Sequence, residues 1–389
     1  MFDDGNEAVC DDSQSNISCN ICNFRLVTKW IPRDLPCAPL LLVGCSLHTY
    51  MLQISCEHTM HILKSVIDVE DAVAGVDIGT IRTNYAIIDV RGNVIAENNF
   101  STKDYPKVEQ YVDKLTGAIV EISEANGGLE TIRSVGISAP SGVYLSGCIE
   151  NSPNLPWKGI VPLAAMLCDQ LGLAVALGND AHNSALGEKM YGSAHGMKNF
   201  IVVNIGVGLG SCFFSEGHEH QGAGGYAGEI GHTCIEEDGR LCACGLKGCL
   251  EAYVASAGIA QTARELLAES DVPSKMRDID HLDSKIIAEL CDEGDELAIE
   301  VYRRTGHTFG RGLATYASIV NPEAIIITGG VSHSGHWLMD PTRESFEKHV
   351  FGNMRGKVRL MKSDLDDKER DVLGASALAW EVPEYSLFK

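Results

Sequence analysis

The chain has 389 residues, 45% of them apolar, and a formal net charge of −22. That length supports two ordinary domains and a core that stands without disulfide staples. The acidic balance, with no Lys/Arg run, excludes a surface built to neutralise nucleic-acid phosphates or anionic lipid, so any bound polyphosphate needs backbone donors.

Residues 1–70 read as a divergent, poorly ordered N-terminal extension, polar and cysteine-dotted at first. The nearly uncharged run 37–56 has roughly the length of a membrane span, but Ser46, His48, Thr49, Tyr50, Gln53 and Ser55 dilute it. A secretory signal fits less well, because the apolar part starts late and no small-residue cleavage pattern follows. Cys19 and Cys22 form a CxxC with no second pair at zinc-ribbon spacing.

Regular structure is expected from Ala72. A short apolar run ends in Asp77-Ile78-Gly79, and two further strands follow around a turn at Arg91-Gly92-Asn93. Val108 to Ala125 is an amphipathic helix, and Ile132 to Pro140 a buried strand. The loop 151–159, a helix to Gly172, the strand to Asp180 and the helix from Ala181 to Gly192 complete an alternation that predicts an α/β fold. At Phe200 the opening pattern returns. Val203-Asn204-Ile205-Gly206 repeats Val76-Asp77-Ile78-Gly79 127 residues later, which suggests two related α/β lobes, although two unrelated hairpins would read the same. Two such glycine turns could hold one polyphosphate through backbone N–H groups. Beyond Ser284, Gly306, Gly310 and Gly312 fall at helical spacing and let a backbone or flat ligand approach. Gly329-Gly330 ends a buried strand, where a nucleotide's ribose or base, or any sharp turn, is expected.

The densest chemistry lies between Glu229 and Glu251. His232, Cys242, Cys244 and Cys249 make one imidazole and three thiols, a set that completes a closed tetrahedral zinc shell, with Gly239, Gly245 and Gly248 turning the chain around it. Cys234 stands outside the shell. Four protein ligands leave no open position for water, so a zinc-dependent hydrolase fits poorly and the metal is expected to be structural. In a chain this long, the fourteen cysteines read as reduced thiols, which points to the cytoplasm.

The EIGH, CxC and GCLE segments, with GNDAHNSALGE, SPNLPW and the closing LGASALAW, resemble the ROK family of sugar kinases and regulators within the actin-like ATPase superfamily. The likeness covers about Val73 to Glu381. It implies a two-lobed actin-like (ribonuclease H-like) α/β fold with a zinc-stapled loop: residues 71–181 a small lobe joined by the final helix 371–389, residues 182–370 a large lobe carrying the metal motif. No winged helix is visible in the sequence. Closure over sugar would hinge near Asn179 to Asn183 and near Asp371.

The resemblance further implies an ATP-dependent hexose kinase, nearest to a bacterial glucokinase, with Asp180 as general base held ionised by the helix N-terminus behind it. Asn154, Asn179, Glu229, His232 and Glu251 would bind sugar hydroxyls, His232 through one ring nitrogen while the other ligates zinc. Asp77 would act on Mg²⁺ through water. Gly79 and Thr83 in the first phosphate turn, Gly206, Gly208 and Gly210 in the second, and Gly329 and Gly330 beside adenosine would bind ATP. The turns depart from the family pattern. Thr80 and Ile81 stand where kinases carry Gly and Thr, and Val207 replaces a threonine, so Thr83 is assigned the missing hydroxyl. Each lost charge-assisted hydrogen bond typically costs about 1.5 to 3 kcal/mol, which keeps a second reading open, a catalytically weak sugar-binding or regulatory protein. Small-molecule hexose and ATP are the expected partners, without nucleic acid or membrane. Homodimerisation is common in the family, and nothing in the sequence locates an interface.

Overall fold

The computed structural model describes residues 16–19, 24–27, 72–366 and 369–382. In the first unit of the chain, strands β1 (Asn16–Cys19) and β2 (Phe24–Val27) pair antiparallel. The expectations for residues 1–70, including the CxxC pair and the 37–56 run, otherwise lie outside the described residues.

In the second unit, β3 (Ala72–Ile78), β4 (Arg82–Ile88) and β5 (Val94–Ser101) follow one another through tight turns. Helix α1 (Val108–Glu124) buries Tyr111, Leu115 and Ile119, one face at four-residue spacing. β6 (Ile132–Ser138) then leads into three short paired strands, β7 (Gly142–Val143), β8 (Cys148–Glu150) and β9 (Ile160–Val161). Helix α2 (Leu163–Leu171) ends on Gly172 at φ 67°, and β10 (Ala174–Gly178) runs directly into α3 (Asp180–Met190). The strand order β10, β6, β3, β4, β5 is parallel on the β10 side of β3 and antiparallel on the other.

The same order recurs. β11 (Phe200–Ile205), β12 (Leu209–Ser215) and β13 (His218–Glu219) form the antiparallel side of a second sheet. Its parallel side is β14 (Ala324–Thr328) and β15 (Arg359–Lys362). The motif repeat around Asp77 and Asn204 is therefore a repeat of topology: Asp77 on β3 and Asn204 on β11 hold equivalent places. Between the halves of the second sheet lie α4 (Glu251–Val254), α5 (Ser256–Glu269), α6 (Ser284–Asp292) and α7 (Glu296–Val320). Helices α8 (His336–His349) and α9 (Arg370–Glu381) follow β14 and β15.

Strand β11 shows why its sequence is an unbroken apolar run. Ile201, Val203 and Ile205 pack toward α5 to α8, while Phe200 and Val202 pack on the other face with Ala185 and Leu186 of α3 and Leu378 of α9. The glycines of α7 admit a backbone, and the neighbour is α8: a Cβ on Gly310 would lie 2.2 Å from Thr342 O. The closing helix lies equally close on the first sheet. A Cβ on Gly136 would stand 1.9 Å from Ala375 O, so bare backbone at this point of β6 sets the depth of α9 and brings its first turn to the carboxyl ends of β3 and β10.

Candidate active site

Asn179 ends the β10 segment in extended conformation and caps α3, its Oδ1 accepting the Ala181 N–H at 2.8 Å. That bond leaves the Asn179 amide NH₂ as a donor. Asp180, the first residue of α3, accepts the same N–H at 2.8 Å. Asn183, one turn on, donates to Ile137 O at 2.9 Å and ties the helix to β6. A cavity of about 250 Å³ opens here, lined by Ser141, Glu150, Asn179, His182, Gln221, Tyr226 and Glu229 among others. Of the expected sugar ligands, Asn179 and Glu229 line it. Asn154 is exposed on its loop while its neighbours Leu155 and Trp157 are buried. His232 and Glu251 sit at the metal-type cluster instead.

Three carboxylates meet at the strand ends. Asp77 is pushed up to about 7, first by burial and then by the charges of Asp371 and Asp180, against hydrogen bonds from Asn84 and Ser138. Asp180 is accessible along the cleft yet crowded by protein. Burial raises its pKa, with Asp371 and Glu229 adding to the rise, while the Ala181 N–H and His182 oppose it. Burial and the neighbouring acids therefore raise Asp180 against the single N–H that its helix terminus offers. A carboxylate raised in this way is a better proton acceptor, and three acids sharing one mouth favour a divalent cation.

Thr83 requires a correction. Its side chain is fully buried, with its hydroxyl 3.0 Å from Thr102 Oγ1 and 2.8 Å from Tyr111 Oη. It points into the core between β4 and α1, because alternation along β4 puts it on the same side as the buried Tyr85 and Ile87, and it cannot reach a phosphate. Of the glycines, Gly210 lies within β12, where a Cβ would meet Ala181 Cβ at 2.9 Å, so it lets α3 approach the second sheet rather than forming the turn. Gly329, at φ 88°, is buried against Asn204 and Ile205, whereas Gly330 is exposed. Gly79 closes its turn by donating to Arg82 O at 2.9 Å, and Gly206 donates to Gly208 O at 2.9 Å. Ile81 is 64% and Val207 95% exposed at the two turns, so neither substituted residue is spent on the core.

The Cys/His set comes together. Ligand atoms of His232, Cys242, Cys244 and Cys249 all lie within 4.8 Å of one another. Cys242 Sγ is 3.7 Å from His232 Nδ1, and Cys244 Sγ is 3.7 Å from Cys249 Sγ. Sulfurs at ~2.3 Å from one tetrahedral zinc are separated by about 3.8 Å, so the donors fit that ion. Burial pushes the Cys242 thiol up to about 12 and raises Cys249 as well, whereas the Leu246 N–H lowers Cys244; a bound cation would favour all three as thiolates. Cys234 is not among the four. With Nδ1 facing the sulfurs, His232 has Nε2 left for another partner. The loop is held by Arg240, whose guanidinium donates to Ala252 O, Gly258 O, Thr262 and Glu265 and lies over the Tyr253 ring.

Sequence reasoning missed His182, Gln221, Tyr226 and Ser141 of the cavity wall. A hydrophilic His two residues after the Asn-Asp pair was a usable signal. Ser141, at φ 59°, and Gln221 carried none.

A five-stranded unit of this order used twice in one chain is the architecture of the actin-like ATPase fold, which sugar kinases share. A ROK family glucokinase from Streptomyces griseus, solved with glucose and AMPPNP, aligns at a TM-score of 0.64 with 29% identity, over 80% of this chain and 100% of that one. The chain belongs to the ROK family, whose model matches residues 73–382. The glucokinase of Streptomyces coelicolor is 31% identical over 320 residues, 79% of this chain and 97% of its own length. The xylose repressor of Caldicellulosiruptor bescii is 27% identical over 323 residues, 81% of this chain and 80% of its own. The family thus holds both kinases and repressors. Among the described residues no helix is long and apolar enough to cross a membrane.

Proposed function

We propose that the protein phosphorylates a hexose from Mg·ATP, with glucose as the first candidate and the 6-hydroxyl as acceptor. The observation that carries this reading is the placement of Asp180 between a cavity lined by Asn179 and Glu229 and the acidic mouth formed with Asp77 and Asp371. Asp180 takes the proton of the acceptor hydroxyl, whose oxygen forms the new P–O bond as the bond to ADP breaks. The Asn179 amide orients that oxygen. Bound Mg²⁺ would neutralise phosphate charge, and Asp77 would hold it through water. Exposed backbone N–H groups at the turns after β3 and β11 would meet the phosphates, with Gly330 beside the nucleoside. Closure of the cleft would bring Asn154, His232 and Glu251 onto the sugar. His232, Cys242, Cys244 and Cys249 would hold a structural Zn²⁺. Their thiol chemistry suits a reducing, cytoplasmic setting, and the −22 charge opposes nucleic-acid binding.

A second reading, a sugar-binding regulator with weak catalysis, is favoured by Ile81 and Val207 at the turns and by the burial of Thr83, which removes its replacement hydroxyl. A coupled assay of ADP release with Mg·ATP and a hexose panel, run on the full chain beside Asp180→Asn, decides between them. Turnover with one hexose that collapses in the variant supports the kinase. No turnover, while glucose still raises the melting temperature, supports the regulator.

A further inference from the structure

His182 lies on the first turn of α3, two residues after Asp180, and its ring lines the sugar-sized cavity. Its Nδ1 is 2.5 Å from Glu219 Oε1 on β13. Glu219 is committed on every side: the buried Cys212 thiol faces the same oxygen at 3.5 Å, and Gln221 Nε2 donates to Oε2 at 3.2 Å. His182, Cys212 and Glu219 are close enough to hold a metal ion together. The His–Glu separation argues otherwise. Two nitrogen or oxygen ligands at ~2.1 Å from a tetrahedral ion lie about 3.4 Å apart, whereas 2.5 Å is a short charge-assisted hydrogen bond.

The clamp fixes which atoms face the cavity. With Nδ1–H spent on Glu219, Nε2 is the ring's remaining polar atom. With one N–H spent on Glu219, Gln221 keeps its carbonyl oxygen and a second N–H, and Asn179, whose oxygen accepts from Ala181, keeps its NH₂. The wall therefore offers donors at Asn179 and His182, hydroxyls at Ser141 and Tyr226 that can donate or accept, and acceptors at Glu229, Gln221 and Asp180. Each sugar hydroxyl requires one donor and one acceptor. Asn179 with Asp180 serves the reacting hydroxyl, and His182, beside Glu229 and Gln221, faces the same cavity with Nε2 for a second one. The 2.5 Å contact with Glu219 is that of a charge-assisted pair, in which the imidazolium carries its second proton on Nε2 and donates from it; burial opposes that charge, while Glu219, Glu229 and Asp180 favour it and raise the pKa overall.

We propose that His182, clamped by Glu219, is a sugar-binding residue that donates from Nε2 to one hydroxyl oxygen other than the reacting one, and so selects the hexose by that hydroxyl. This rests on the sugar-site reading above.

The test is calorimetry on the full chain without nucleotide, titrating D-glucose and its 2-, 3- and 4-deoxy analogues into wild type, His182→Leu, His182→Gln and Glu219→Gln. Wild type is expected to bind one deoxy analogue about tenfold to a hundredfold more weakly than glucose. His182→Leu should weaken glucose by a similar factor and abolish discrimination against that analogue alone, while His182→Gln, which keeps a donor, retains part of it. Melting curves identify a variant that has lost its fold, in which case His182→Gln and Glu219→Gln carry the comparison. Variants that discriminate all three analogues as wild type does would overturn the role of His182 and leave the sugar site standing. A wild type that binds none of these sugars overturns the sugar-site reading and this inference together.

Discussion

The carboxylate of Glu251 accepts the backbone N–H of Leu209 at 2.9 Å through Oε2, while its Oε1 faces Cys242 Sγ at 3.4 Å. One side chain thus joins the sulfur cluster to the turn that follows β11. Gly208 belongs to the same contact, since a Cβ there would lie 2.9 Å from Glu251 Oε2. A change at the cluster would therefore reach the turn after β11 through this one side chain.

Metal analysis of the purified protein should therefore find about one zinc per chain, and removing it with a strong chelator should lower the melting temperature and weaken AMPPNP binding about tenfold or more. Cys242→Ser should do the same without chelator. Metal-free protein with an unchanged melting temperature would refute the assignment.

Asp180→Asn should reduce turnover by about 10² to 10⁴-fold while leaving hexose affinity within a few-fold. The amide keeps the shape and loses the proton acceptor, so kcat falls and KM holds. Steady-state kinetics beside calorimetry separates the two, and a comparable loss in affinity would mean that Asp180 binds rather than catalyses.

Asp77, pushed up to about 7, keeps a proton that the unfolded chain releases near its ordinary value of 3.8. Between those values the folded state binds the extra proton, so its contribution to stability is present at low pH and is lost as pH rises toward 7. Melting temperatures of nucleotide-free protein should show this slope in wild type and a flatter one in Asp77→Asn. Mg·ATP, which requires the ionised form, should bind more tightly as pH rises to about 7 and then level off. An identical slope in the variant would assign the proton elsewhere.

Thr83→Val should leave the KM for ATP unchanged and destabilise the fold by about 1 to 2 kcal/mol, because Tyr111 and Thr102 lose a buried partner. Denaturant unfolding and ATP kinetics check both halves. A raised KM with normal stability would return Thr83 to the phosphate site.

What the sequence alone determined was local. The CxC and GCLE segments set the three cysteines within a few bonds of one another, and short loops with turn glycines leave few ways to arrange them, so the sulfur set was legible from spacing. The repeat of Val-Asp-Ile-Gly as Val-Asn-Ile-Gly was legible too, because each marks one strand entering one turn, and it foretold the doubled topology. The direction of Thr83 was within reach, since residues two apart on a strand share a side and Tyr85 and Ile87 are apolar. The tertiary structure alone decided the rest. That Glu251 reaches Leu209, that Asp371 of the closing helix charges the mouth of Asp77 and Asp180, and that Glu219 clamps His182 are contacts between segments 37 to nearly 300 residues apart in the sequence. Such pairings depend on how sheets and helices pack, and no residue type or spacing encodes them. The electrostatics of Asp180 shows this: its own helix was visible in the sequence, and the burial and neighbouring acids that raise its pKa were not.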